Sequence, residues 1–204
     1  MPPYAYPQGN ACLKRTLNLQ PHPEGGFFAQ THAMDETVPS PFADGAQRQL
    51  ATQIYYLLAA SSSSSPSSSY RGKLHLNKST TYHLLHQGRA RYTLVRPTTD
   101  GTKPQVRHVV MGEDAGRGEL RQLVVEGGWW KASEVPDEDL REARAEEGDK
   151  GLDATGCLIS EVVVPGFSFD DHEFLTRKGL VELFGGDEHA PEVQQLLPYV
   201  QEDK

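Results

Sequence analysis

The chain has 204 residues, 37% of them hydrophobic and 24% charged, with a formal net charge of −8; this length suits one domain with a full core, and two domains would each be small. The acidic balance argues against nucleic acid, which calls for clustered Lys and Arg, and no apolar run approaches the ~20 residues of a membrane helix. Nineteen Gly and fourteen Pro imply many turns and therefore short strands.

Met1-Pro2-Pro3-Tyr4 carries no basic region followed by an apolar run, so no secretory signal is expected and the protein is read as cytoplasmic. Cys12 and Cys157 are single and far apart, and read as free thiols in a reducing compartment. Leu13, Leu17 and Leu19 predict a short helix after the Pro-rich start. His22-Pro23-Glu24-Gly25-Gly26 is a turn that leads into a strand at Phe27-Phe28, residues 33–48 read as a loop, and Leu50 to Leu58 reads as a strand. Ser61 to Ser69, broken only by Pro66, has no apolar surface to bury and reads as a flexible surface loop.

Short strands are then predicted at 72–77, 81–86, 89–96, 105–111 and 120–126, with turns at Gly88, Asp100-Gly101, 113–118 and Gly127-Gly128. Residues 134–150 hold eight acidic and three basic side chains, so most of the negative excess sits there and the remainder is near neutral. Helical spacing without an apolar stripe makes that segment an exposed acidic insertion. Cys157 to Val164 is the most strand-like run, and a helix is expected over 191–199. The whole is one all-β domain with short helices at its termini, whose strands must close into a barrel or pair as two sheets to cover their edges.

Four segments, HPEGGFF at 22–28, TQIYYLL at 52–58, VVEGGWWKAS at 124–133 and SEVVVPGFSFDDHEF at 160–174, resemble a branch of the cupin superfamily long catalogued as a domain of unknown function. GKLHLNK and HLLHQGRARYTLV within 72–95 are similar to its fungal-type subgroup. The resemblance spans roughly residues 15 to 180. It implies an RmlC-like jelly-roll barrel (a double-stranded β-helix) with an interior cavity, commonly a homodimer. The N-terminal arm, with Tyr4 and Tyr6, and exposed strand edges are consistent with such pairing.

Metal cupins hold their ion with two His one residue apart, a Glu a few residues later, and a His on a later strand. On this chain those positions carry His75, Asn77, Thr81 or a close neighbour, and Lys131. Three of the four ligand types are missing and a cation stands at the last, so no metal or other cofactor is expected. The same residues suit an organic ligand better. His75 and Asn77 share strand parity and project to one side. Trp130 can stack on a ring, and Lys131 can meet an anionic group such as a phosphate. Glu24, and Tyr55 or Gln53 on the next strand, are further polar candidates. Asp171 belongs to an Asp170-Asp171-His172 run after the PGF turn, where a His–Asp pair can polarise a proton transfer or simply anchor the strand end. His86, His108, Glu161 and His189 have no spacing that singles them out.

Three readings follow. One is a metal-independent epimerase or isomerase acting on a sugar, sugar-phosphate or nucleotide-type ligand, with His75 as base and Lys131 or a tyrosine as acid. The second is a non-catalytic small-molecule binder using the same cavity, and the third a metal-dependent, dioxygenase-like cupin. A cavity polar on opposite walls favours the first, and an apolar cavity with one polar rim favours the second.

Overall fold

A computed structural model describes residues 8–60, 62, 66–98 and 102–201. The Tyr4 and Tyr6 arm, most of the first half of the serine run and the Asp100-Gly101 turn lie outside the described residues. The described residues hold thirteen strands: β1 Gln20–Pro21, β2 Phe27–Ala33, β3 Thr37–Pro39, β4 Gln47–Gln49, β5 Thr52–Ala59, β6 His75–Asn77, β7 Thr80–Gly88, β8 Ala90–Arg96, β9 Gln105–Met111, β10 Gln122–Val125, β11 Trp130–Glu134, β12 Gly156–Val164 and β13 His172–Phe174. Among the described residues four α-helices join them: α1 Asn10–Thr16, α2 Asp137–Asp153, α3 Arg177–Leu183 and α4 Pro191–Leu196.

The strands form two antiparallel sheets, one in the order β1-β2-β5-β12-β7-β10 and the other β13-β6-β11-β8-β9, with β3 and β4 as a small separate hairpin inside the segment expected to be a loop. Alternation sorts each strand's side chains between the inside and the outside of this sandwich. The inner faces pack Tyr56, Leu58, Tyr92, Leu94, Met111, Leu123 and Ile159 into the main core. The outer face of the six-stranded sheet is covered by α1 and the segment after it, with Leu13 of the helix and Leu19 beyond it on Leu57, Ala59 and Leu158. The outer face of the five-stranded sheet packs Leu74, Val95, Trp130 and Ala132 against Leu175, Leu180, Phe184, Val193 and Leu196 of the C-terminal segment. These covered outer faces explain why β5 and β12 read as continuous apolar runs: both sides of each strand are buried over much of their length.

Two expectations about charged and polar segments change. The acidic stretch, expected as an exposed insertion, does form a helix, α2, but it is anchored, and it is a helix away from the termini to which the helices were expected to be confined. Leu140 and Leu152 join the main core, and the helix breaks its path at Gly148 (φ 57°). Asp139 accepts from Arg89, which also pairs with Glu119. Glu134, the first acid of the stretch, is a buried β11 residue held by Arg71, Arg91 and the Tyr199 hydroxyl. The serine run is likewise tied down at its end. Ser67–Ser69 makes a single 3₁₀ turn, Ser69 is buried, and the Ser68 carbonyl accepts the Gly26 amide at 2.6 Å. Backbone polar groups need such partners, and this one fixes the turn that carries Glu24.

Candidate functional site

One end of the sandwich interior is filled by the apolar core; the other gathers titratable side chains from six elements. Glu24 comes from the His22–Gly26 turn. Gly25 there has φ 107°, and a Cβ on it would lie 2.5 Å from the Arg71 carbonyl, so only glycine permits this path. His75 and Asn77 are inward residues of β6, His83 of β7, Lys131 of β11, Glu161 of β12 and His172 of β13. The register places them together: Lys131 pairs with His75, His172 with Asn77, and Glu161 with His83.

Two connected groups result. In the first, His172 Nε2–H donates to Glu24 Oε1 at 2.8 Å, and His75 Nε2 lies 3.2 Å from Glu24 Oε2. The His75 and His172 rings stack at 5.4 Å, and Phe174 meets the edge of His172 at 4.6 Å, which fixes that imidazole. His22 Nδ1 accepts the Glu24 amide N–H at 3.1 Å, and its ring packs edge-on to Phe28. In the second group Lys131 Nζ donates to His83 Nε2 at 3.1 Å and to Glu161 Oε2 at 3.4 Å, while His83 Nδ1–H donates to the Leu123 carbonyl.

Burial alone would raise the Glu24 pKa, but its imidazole neighbours, His75 first and then the His172 hydrogen bond, outweigh this and hold the carboxyl below the ordinary range. Burial also raises Glu161, and the Lys131 charge with His83 reverses that, leaving it lowered. His75 and His83 are pushed down to about 4, each chiefly by burial; Lys131 adds to the effect and a nearby carboxylate opposes it. Both are therefore neutral at neutral pH. Burial, with Glu24 and Glu161 adding, raises the Tyr56 phenol well above its usual value.

A cavity of about 170 Å³ opens beside these groups, lined by His22, Glu24, Asn77 and Glu161 on the polar side, by Phe28, Ile54, Val163, Phe167 and Phe169 on the apolar side, and by exposed Gln30 at its rim. Phe169 is 66% exposed and marks the mouth, whereas Glu24, Asn77 and Glu161 are buried at the base. Asn77 Oδ1 is buried there without a hydrogen-bond partner. A larger open groove of about 410 Å³ lies between Arg91, Thr93, His108, Gln195, Leu196 and Tyr199. Arg91 is committed to Glu134, and none of the clustered reactive side chains reaches that groove.

Of the sequence candidates, Glu24, His75, Asn77 and Lys131 are brought together. Three others are not. Tyr55 points to the outer face of its sheet, beside His86 and the α1 cluster, and Tyr56 is the inward residue because it pairs with the inward Phe28. Trp130 is buried in the outer C-terminal cluster and cannot stack on a cavity ligand; Trp129 instead touches the main core and lies under Arg96. Asp171 turns away from the cavity to Arg48, at 2.7 and 3.1 Å, and anchors the strand end. Lys131 also departs from its expected role, since its ammonium is already engaged by Glu161 and His83 rather than offered to an anion.

Sequence reasoning missed Glu161 and the inward role of His172. Glu161 carried a signal, a lone acid in the apolar run CLISEVVV on the parity of Ile159 and Val163. The residues at the usual cupin metal positions, His75, Asn77, Thr81 and Lys131, do not fit an ion, because Lys131 places an ion-paired ammonium there.

A two-sheet antiparallel jelly roll with an interior site built from many strands defines a cupin-type barrel. The chain belongs to the family described as Cupin superfamily (DUF985), whose model matches residues 13–175. It is 36% identical over 202 residues to a Saccharomyces cerevisiae protein described as Uncharacterized protein YML079W, covering 93% of this chain and 88% of that one. A hypothetical protein from Leishmania major is similar in structure, with a TM-score of 0.71, 27% identity, and 92% and 98% of the two chains covered. Protein SO0799 from Shewanella oneidensis shares the fold, with a TM-score of 0.68 at 20% identity over 96% and 99% of the chains. No helix among the described residues is long and apolar enough to cross a membrane.

Proposed function

We propose that this cupin binds a small organic molecule in the cavity between Glu24, Asn77 and Phe169, with a hydrogen-bonding head at the base and an apolar body along the phenylalanine wall. The observation that carries this reading is the sorting of the cavity itself. Its buried polar groups, Glu24, Asn77 and Glu161, lie together at the base, Gln30 is exposed at the rim, and the walls are Phe28, Ile54, Val163, Phe167 and Phe169. Ligand sites are mostly apolar with a few placed polar groups, and Asn77 Oδ1 is a buried acceptor still lacking a partner. Buried polar groups gathered at the base, with Gln30 alone at the exposed rim, favour the binding reading over obligatory epimerisation. A substrate that does react would meet proton-transfer chemistry of the isomerase class, through the Glu24 carboxylate and its His172 neighbour.

The buried charges are Glu24 and Glu161 against Lys131, a negative excess of one. A sugar phosphate or nucleotide therefore meets repulsion at the base unless a cation accompanies it, whereas a neutral sugar-like or amine head does not. Thermal-shift screening of chelator-treated protein tests this. Neutral monosaccharides and small aromatic amines are the first probes, with their phosphorylated counterparts beside them. Hits should come from the uncharged or cationic set, and Phe169→Ala, which removes an exposed wall residue at little cost to folding, should weaken them at least severalfold. Hits confined to phosphorylated compounds, or unaffected by Phe169→Ala, would contradict the assignment.

A further inference from the structure

We propose that Glu24, His75 and His172 form a binding site for a divalent transition-metal ion, displaced from the usual cupin position where Lys131 stands. The inference is independent of the organic ligand. One ligand atom from each of the three residues lies within 4.8 Å of the others. Two donors at ~2.1 Å from a common ion stand at most ~4.2 Å apart. Glu24 Oε2 to His75 Nε2 at 3.2 Å and Glu24 Oε1 to His172 Nε2 at 2.8 Å already meet that limit, so closing the site needs only small side-chain movements.

The hydrogen bonds of His75 give the second, separate argument. Its Nδ1 lies 2.9 Å from the Lys73 carbonyl, which can only accept, so Nδ1 carries the proton and Nε2 presents a bare lone pair. That nitrogen is buried, makes no hydrogen bond, and faces a carboxylate oxygen at 3.2 Å. Two acceptors face each other with nothing donated between them, an arrangement that a bound cation relieves. A carbonyl fixing the far nitrogen of an imidazole is the usual outer support of a metal-binding histidine. Asn77 Oδ1, buried without a partner and opposite His172 in the strand register, is an acceptor for a metal-bound water.

Among the described residues His22 and His83 stand outside the cluster of mutually close ligand atoms. His22 Nδ1 is occupied by the Glu24 amide, and His83 Nε2 by Lys131. His172 Nε2 now donates to Glu24, so its proton must move to Nδ1 or to solvent when the ion enters. Two imidazoles and one carboxylate suit zinc, iron(II), cobalt, manganese or nickel rather than calcium or magnesium. Three protein ligands leave open positions beside the cavity, where an oxygen donor of a ligand could bind the ion directly.

The test uses untagged full-length protein, stripped with chelator and titrated with cobalt(II) and zinc(II) and no organic ligand. One cobalt per chain should bind and give visible d–d absorption, and one zinc per chain should displace it. Glu24→Gln and His172→Phe should each weaken cobalt binding by at least 100-fold. His75→Gln should do the same, while His86→Ala, outside the cluster, leaves it unchanged. His83→Gln and Glu161→Gln report on the neighbouring group. Loss of cobalt in these two variants, with retention in Glu24→Gln and His172→Phe, would place the ion elsewhere and overturn the proposal. So would absence of stoichiometric cobalt or zinc binding by the folded protein. Failure of the metal titration leaves the organic-ligand screen on chelated protein as a separate result, so the two readings fail independently.

Discussion

Replacing Lys131 with Met removes the one ammonium in the buried base of the site. Lys131 is 3% exposed and Glu161 8%, and the two pair at 3.4 Å. Without Lys131 the Glu161 carboxylate keeps only the His83 contact at 3.7 Å. Breaking one side of a buried ion pair costs about 3–5 kcal/mol, whereas replacing both sides with apolar groups of similar size is often nearly neutral. Lys131→Met should therefore lose about 3–5 kcal/mol. The double variant Lys131→Met/Glu161→Leu should lie within about 1–2 kcal/mol of wild type, the residue being the donor that His83 Nε2 no longer has. Urea unfolding followed by the fluorescence of Trp129 and Trp130 measures this. With a slope near 2 kcal/mol/M, the single variant should shift the midpoint down by about 1.5–2.5 M. A single variant within about 1 kcal/mol of wild type, or a double variant no better than the single, would refute the reading of Lys131 as the counter-charge of Glu161 and restore it as a free anion receptor.

Glu134 has a pKa that burial raises but that Tyr199, Arg91 and Arg71 bring below the ordinary value, so its contribution is full above about pH 4.3 and fades as pH falls through the lowered folded value. The stability gap between wild type and Glu134→Gln should narrow from pH 6 to pH 3, and a constant gap contradicts this. Trp130→Ala should cost about 3–5 kcal/mol through the cavity it leaves in the outer cluster, without altering ligand binding, and a selective loss of binding at unchanged stability would return Trp130 to the site. Deleting Ser67–Ser69 removes the carbonyl that accepts the Gly26 amide and should lower the melting temperature by several degrees, in contrast to an earlier cut within the run; equal tolerance of both cuts contradicts that anchor. Tyr82 and Val124 lie exposed side by side on the edge pair β7–β10, and light scattering at micromolar concentration should give a homodimer; a strict monomer sinks that expectation.

The strands were legible because their residues satisfy local rules: β9 appears at 105–111 as expected, and β5, β7, β8, β10 and β12 within about two residues. Short β11 and β13 were not, since their pairing is fixed by partners distant in the chain, Lys131 by His75 and His172 by Asn77. The site followed the same division. The inward parity of His75 and Asn77 could be read within one strand. The choice between Tyr55 and Tyr56 depended on the β2–β5 register, and Trp130 faces outward because Lys131 faces inward. The helical period of 134–150 was visible, but the burial of Glu134 required Arg71, Arg91 and Tyr199, three residues scattered over the chain. Charge pairing at long range is what the local pattern does not carry.

The most direct measurement of the central claim is a crystal structure of the protein purified without tag or chelator, with difference density inspected at both openings. Density for a small molecule should lie between Glu24, Asn77, Phe167 and Phe169, its polar end within hydrogen-bond distance of Asn77 Oδ1. An organic ligand seated instead in the groove of Arg91, His108 and Tyr199, with ordered water alone beside Glu24, would contradict it.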